Sequence, residues 1–274
     1  MMLDRSHTLP RTIAAALRQQ APHFMRINAG QHCTTIASYN IHKCIGTDGR
    51  FDPLRTAKVI AELDADIVAL QEADERLGEK HGLLDLDELA RQTGLAPLHT
   101  PKNRRSHGWH GNLILARSGQ VENVATLRLP GLEPRGALIV DLEFNGTPLR
   151  IIAAHFGLLR RSRSQQAKML LSAAHNVTRP TILLGDFNEW RVNTRSSLLP
   201  LLPQFGPLDA VLPSFPSRFP LLALDRILAR PQSLISSLEV HRSALARVAS
   251  DHLPIKARVN LKGARPAAAQ LDAA

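Results

Sequence analysis

The chain has 274 residues, 44% hydrophobic and only 4% aromatic, and its 34 Lys and Arg outnumber 24 Asp and Glu to give a net charge of +10. The apolar share is ordinary for a globular chain that buries a substantial core, and no apolar run is long enough to span a membrane as a helix. The charge favours polyanionic partners such as nucleic acid or an acidic membrane surface, while so few aromatics weaken a case for base stacking on single strands.

In chain order, residues 1–32 are expected to be an N-terminal extension. Its stretch 12–17 has the composition of a short helix stopped near Pro22 and is read as disordered, packed outside the sheet, or a basic contact with an anionic membrane. The start lacks the apolar stretch of a secretory signal. Cys33 and Cys44 form neither a CxxC pair nor a zinc pattern, so reduced thiols and a cytoplasmic location are expected. Helical spacing over 55–63 follows Pro53, a residue tolerated at a helix start. A strand is expected at 67–70, a helix at 85–93 closed by Gly94, and strands at 110–116 and 138–144. Asn145-Gly146 is a hairpin signal. A helix with basic residues on its outer face is expected over 164–176, then strands at 225–228 and 255–259, and a loose Ala-rich tail over 262–274. The motifs interleave from end to end, which favours one domain over 33–261. The pattern is α/β or α+β, with two mixed sheets packed face to face and helices outside.

Apolar strand-like runs repeatedly end in catalytic residue types. One ends at Asn40, one at Glu72, one at His155, and 181–184 runs into Gly185-Asp186-Phe187-Asn188. Later, Leu224 precedes Asp225, and Ala249 precedes Ser250-Asp251-His252. Side chains two apart on a strand share a face, so Asp186 and Asn188 are expected side by side, with Gly185 allowing close backbone approach. This set of residue types suffices for metal-assisted phosphoester hydrolysis, which needs a nucleophilic water, stabilised phosphorane charge and a protonated or metal-bound leaving oxygen.

The ordered motifs SYNIHK (38–43), LQE (70–72), HFGL (155–158), GDFNEW (185–190), LDRI (224–227) and SDH (250–252) resemble the endonuclease/exonuclease/phosphatase superfamily, whose fold is deoxyribonuclease-I-like. The resemblance runs from about Ile36 to Val259. EPRGAL (133–138), HFGL before a basic helix, and FPSRFPLLALDRI (215–227) look most like a bacterial hydrolase subgroup found near phospholipid-synthesis enzymes. The resemblance implies a four-layer sandwich and a Mg²⁺- or Mn²⁺-dependent phosphoester hydrolase. It implies Glu72 as metal ligand, with Asn40 as ligand or phosphate contact and Asp251 facing the same site. Oxygen-only ligation favours those cations over zinc. Asp186 resembles the residue that orients or deprotonates the attacking water, and Asn188 its phosphate-contacting partner. Asp225 and His252 read as a pair in which the carboxylate fixes the tautomer and favours the charged imidazole. His155 matches a second histidine of deoxyribonuclease-like and sphingomyelinase-like members, which argues mildly against an abasic-site enzyme.

Around these lie candidates with two readings each. His42 and Lys43 either reach substrate or are solvated. Arg135 either binds phosphate or anchors a strand start, and Asn112 is placed along the cleft. Arg226 is either in a buried ion pair or at the rim. Arg160, Arg161 and Arg163 either bind a second phosphate or a nucleic-acid backbone, or begin a solvated helix. Lys102, Arg104, Arg105 and His107, near Trp109, form a second basic run in a loop expected to select the substrate. The expected substrate is a phosphodiester, nucleic acid first and a phospholipid or small phosphodiester second. A non-catalytic scaffold is a third reading, which predicts broken motifs.

Overall fold

The computed structural model describes residues 33–75, 81–99, 105–174, 178–206, 208 and 212–261. The expectations for 1–32, for Lys102 and Arg104 and for the tail from 262 fall outside that set. Eleven strands are described, and they form two sheets. They are β1 (Thr34–Asn40), β2 (Ile67–Gln71), β3 (Ala96–Pro97), β4 (Leu113–Ala116), β5 (Gln120–Leu129), β6 (Arg135–Phe144), β7 (Thr147–His155), β8 (Thr181–Asp186), β9 (Asp225–Arg230), β10 (Ile235–Val240) and β11 (Ile255–Val259). The first sheet has the order β10-β11-β1-β2-β4-β3 and the second β5-β6-β7-β8-β9.

The order follows from local chemistry. Helix α1 (Pro53–Glu62) starts where the Asp52 side chain accepts from Arg55 N at 2.9 Å, with proline in the first turn where its missing N–H costs nothing. Helix α2 (Leu86–Thr93) is capped by Asp85 and ends at Gly94, whose φ of 74° is the left-handed stop that glycine adopts without strain. Asn145 and Gly146 both have positive φ and turn β6 tightly into β7. Helix α3 (Arg160–Ala174) then crosses over to β8, which pairs parallel to β7.

Three clusters make four layers. Alternate residues Ile36, Ile67, Ile114, Val140, Ile151, Ile182, Leu184 and Ile227 interdigitate between the sheets. Their opposite faces bury Val59, Ile60 and Leu89 of α1 and α2 on the first sheet, and Ala167, Leu170 and Ala174 of α3 on the second. The strand expected at 110–116 begins only at Leu113, because His110 and Gly111 turn with φ of 49° and 78°. Two long strands carried no sequence signal. β5 and β10 are edge strands with exposed or half-buried residues on both faces and a register shift each, so the apolar alternation that marks a buried face is missing. Among the described residues no helix is long and apolar enough to cross a membrane.

Candidate active site

The inter-sheet face becomes polar at one end. His155 continues the row of Ile151 and Ala153, Asp186 that of Ile182 and Leu184, and Asp225 precedes Ile227 and Ala229 on the same face. The three are partners in register, His155 with Asp186 and Asp186 with Asp225, so one rung across β7, β8 and β9 carries all of them. Opposite, Asn40 and Gln71 end β1 and β2 on the rung that pairs them. Asn40 joins the sheets: its Nδ2 donates to Asp186 Oδ2 at 3.0 Å.

Asp186 is buried at the focus of this set. His155 Nε2 lies 3.4 Å and His252 Nε2 3.6 Å from its Oδ2, and Asn188 N donates to its Oδ1 at 2.9 Å. Burial chiefly, and then the neighbouring Asp225 charge, raise its carboxyl to about 6 against the opposing pull of His252. His252 Nδ1 lies 2.8 Å from Asp225 Oδ2. Burial alone would lower this imidazole, but Asp225 and then Asp186 outweigh it and hold His252 up at about 10. Ser214 Oγ also donates to Asp225 Oδ2, and Ser250 Oγ ties the SDH turn to Asn40 O at 2.7 Å. His155 is held differently. Its Nδ1 lies 2.9 Å from an Arg135 guanidinium nitrogen, and a guanidinium can only donate. Nδ1 is therefore the acceptor, and the ring proton sits on Nε2, facing Asp186.

Backbone conformation supports the rung. Gly185 has φ 143°, and a Cβ there would sit 1.8 Å from Ala154 O, so only glycine lets β8 lie so close to β7 beside the two catalytic candidates. Asn188 has φ 51° and lies beyond the strand, so it does not share a strand face with Asp186 as the two-residue spacing predicted. Its Nδ2 donates to Phe156 O and links the GDFNEW and HFGL loops. Glu189, fully buried, receives Ser197 and Arg163, and Arg163 also reaches the carbonyls of Gly157 and Leu158. Arg163 is thus a buried clamp between two loops and not part of a solvated helix start. Arg226 is buried and donates to the carbonyls of Ala223, Asp225 and Glu189, neither ion-paired nor at the rim, and burial pushes it down to about 10.

Beside the rung opens a pocket whose lining includes Lys43, Glu72, Glu75, His110, Arg135 and His155. Glu72 has φ 58° just past β2, beneath Gly111. Its Oε2 is shielded from solvent and accepts no well-aligned hydrogen bond, although Lys43 Nζ stands 3.1 Å away as a counter-charge. A shielded carboxylate oxygen countered by a lysine alone, in a pocket bearing further carboxylates, is a fitting donor for a hard cation. Asp186, Asp225 and His252 also converge within 4.8 Å; His252 faces Asp225 Oδ2 and Asp186 Oδ2, and Asp225 Oδ1 is buried without a hydrogen bond, so this cluster is a second candidate donor set beside Glu72. Asp251 is half-exposed, with His42 Nδ1 3.8 Å from its Oδ1. The other candidates lie apart. His42 turns Nδ1 to Ile45 O at 3.0 Å. Asn112 is fully buried and spends its amide N–H groups on Trp109 O and Gly136 O, bracing the turn and not lining the pocket. Arg160 lies outside the pocket and donates to Arg195 O. Sequence reading missed Ser214 and the Arg163–Glu189 clamp. A serine or an arginine at a loop carries no spacing signal, whereas Glu189 directly after Asn188 could have been noticed.

Two mixed sheets with helices outside and a polar rung between their ends define a class. The chain belongs to the Endonuclease/Exonuclease/phosphatase family, whose model matches residues 37–252. Members of this family are hydrolases of phosphoester bonds. It is 30% identical over 168 residues to the uncharacterized protein YbhP of Escherichia coli K12, a match covering 56% of this chain and 64% of that one. An endonuclease/exonuclease/phosphatase structure from Beutenbergia cavernae superposes with TM-score 0.63 at 21% identity, covering 84% of this chain and 72% of the other. The D. rerio TDP2 structure with a single-strand DNA product gives 0.59 at 16% identity, covering 84% and 100%.

Proposed function

We propose that this chain is a Mg²⁺- or Mn²⁺-dependent phosphodiesterase, with one catalytic domain over 33–261. The observation that carries the reading is the buried Asp186 carboxylate, faced by two histidines and bonded by Asn40. Glu72 and Asp251 would hold the cation, together with Asn40 Oδ1, which keeps a lone pair beyond the bond it accepts from His42 N. The bound cation supplies Lewis-acid charge to phosphate oxygens. Asp186, ionised above about pH 6, orients the attacking water and takes its proton. His252, kept cationic by Asp225, stabilises the phosphorane charge and stands ready to protonate the leaving oxygen. His155 presents a neutral Nε2–H to the same centre.

Nucleic acid is the first substrate reading, supported by the charge of +10 and by the DNA product held by the TDP2 relative. A phospholipid or small phosphodiester is the second, favoured by large apolar side chains exposed on the segments at the rung end of the sheets. The scaffold reading predicts broken motifs and finds none. The test is hydrolysis of plasmid DNA, single-stranded RNA and bis-p-nitrophenyl phosphate with Mg²⁺ or Mn²⁺, for the wild type and Asp186→Asn. Metal-dependent cleavage of any of them, lost in Asp186→Asn, supports the reading. Cleavage that survives in Asp186→Asn, or that EDTA leaves intact, overturns it.

A further inference from the structure

Ten large hydrophobic side chains are exposed among the described residues, and their placement is uneven. Seven lie on segments at the end of the sheets that carries the polar rung. Leu132 precedes β6, and Leu158 and Leu159 follow β7. Phe51 and Leu54 follow β1, and Phe219 and Leu221 precede β9. These seven are also the most exposed, from 43% to 85%, whereas Val121, Met169 and Leu202, all elsewhere, are at 37–38%. The segments are tied in two groups. Leu158 N donates to Glu133, Arg160 to Arg195 O, Arg218 to Thr47, and Arg247 to Arg218 O.

Exposed arginines alternate with the apolar groups. Arg50 precedes Phe51, Arg218 precedes Phe219, and Arg160 and Arg161 follow Leu159. On these segments the carboxylates Asp48 and Asp52 both face Arg55, and Glu133 accepts from Leu158 N. Leucine and phenylalanine tips ringed by arginine match a surface that is apolar within and anionic at its face.

We infer that this rim is a docking surface for anionic phospholipid, which brings the mouth of the site against the headgroup layer. The other occupants fit less well. Residues 1–32 carry four arginines and one aspartate, and a second copy carries +10, so both would set like charge against the rim. Nucleic acid would satisfy the arginines and find rings at Phe51 and Phe219, but it gains little from the five leucines that make up the rest of the apolar rim. The inference deepens the second substrate reading and rests on it only for what is cleaved, because docking needs no turnover.

The test is co-sedimentation of the full chain, in EDTA so that hydrolysis plays no part, with vesicles of phosphatidylcholine alone and with added phosphatidylglycerol. Binding is expected only with the anionic lipid. The pair Leu158→Ser/Leu159→Ser and the pair Arg161→Gln/Arg218→Gln should each weaken partitioning about tenfold, since buried apolar area and basic charge both drive interfacial binding. Met169→Ser should leave it unchanged, and unchanged thermal midpoints show that each variant is folded. Absence of binding to the anionic vesicles overturns the inference. So does binding that the leucine pair leaves intact while the arginine pair weakens vesicles and a DNA duplex alike, which is the signature of a general polyanion track. Loss of catalysis on every substrate would sink the proposed activity and leave this readout standing.

Discussion

The two halves of the candidate site are built on opposite plans. Around Asp186, His252 and Asp225 most polar atoms are tied to one another at the buried end of β8 and β9, Asp225 Oδ1 being the exception. Around Glu72 a carboxylate oxygen is shielded yet accepts no aligned hydrogen bond, and the pocket beside it is open. The closed half is preorganised by its own partners, which is where fixed charge acts most strongly on a transition state. The open half keeps an unmet valence, and unmet buried valences are tolerated where a ligand completes them.

The difference can be broken most severely at Asp186. Asp186→Asn should lower kcat by about 10³-fold or more, in the range found for loss of a positioned base, with the melting curve retained. Steady-state kinetics beside calorimetry checks this. Glu72→Gln should lower activity by about 10²-fold at limiting metal and regain part of it as Mn²⁺ or Mg²⁺ is raised, a rescue that Asp186→Asn should not show. A metal titration of the two variants separates the halves directly.

The closed half should also show itself in stability. His252 is held above its unfolded value of about 6.5, so its contribution is fully present below pH 6.5 and is lost as pH rises toward about 10. The expected loss across that window is on the order of a few kcal/mol, and Asp225→Asn should flatten it. Denaturant unfolding at stepped pH measures both. The smallest effect is expected at Arg135→Met, which frees His155 Nδ1 to change tautomer. The cost is about tenfold in kcat/KM, with the tautomer change read from the imidazole ¹⁵N shifts by NMR.

The strand-end residues were legible because the strands that deliver them are buried on both faces and read as apolar runs. Ordered along the chain, they were enough to give the family and the sandwich. The edge strands β5 and β10 were not legible, since a polar edge has no periodicity to read. Nor was the position of Asn188. A strand template puts it on the face of Asp186, but the chain leaves the strand after Asp186 and turns through a positive φ. Which arginines are buried was hidden for another reason. Arg163 and Arg226 take their place from carbonyls and a carboxylate brought in by distant loops, and a long cationic side chain looks the same in sequence whether it is a clamp or a surface group.

The shared register of His155, Asp186 and Asp225 has a consequence for how such a protein can change. The spacing of these groups across the sheet is measured by the hydrogen-bond ladder and not by the loops. Loops beyond the last rung can be lengthened, exchanged or recharged while the ruler stays fixed. A single inserted residue within β8 would turn Asp186 to the other face and erase the alignment at once. For grafting or recombination, the natural seams therefore lie just outside that rung.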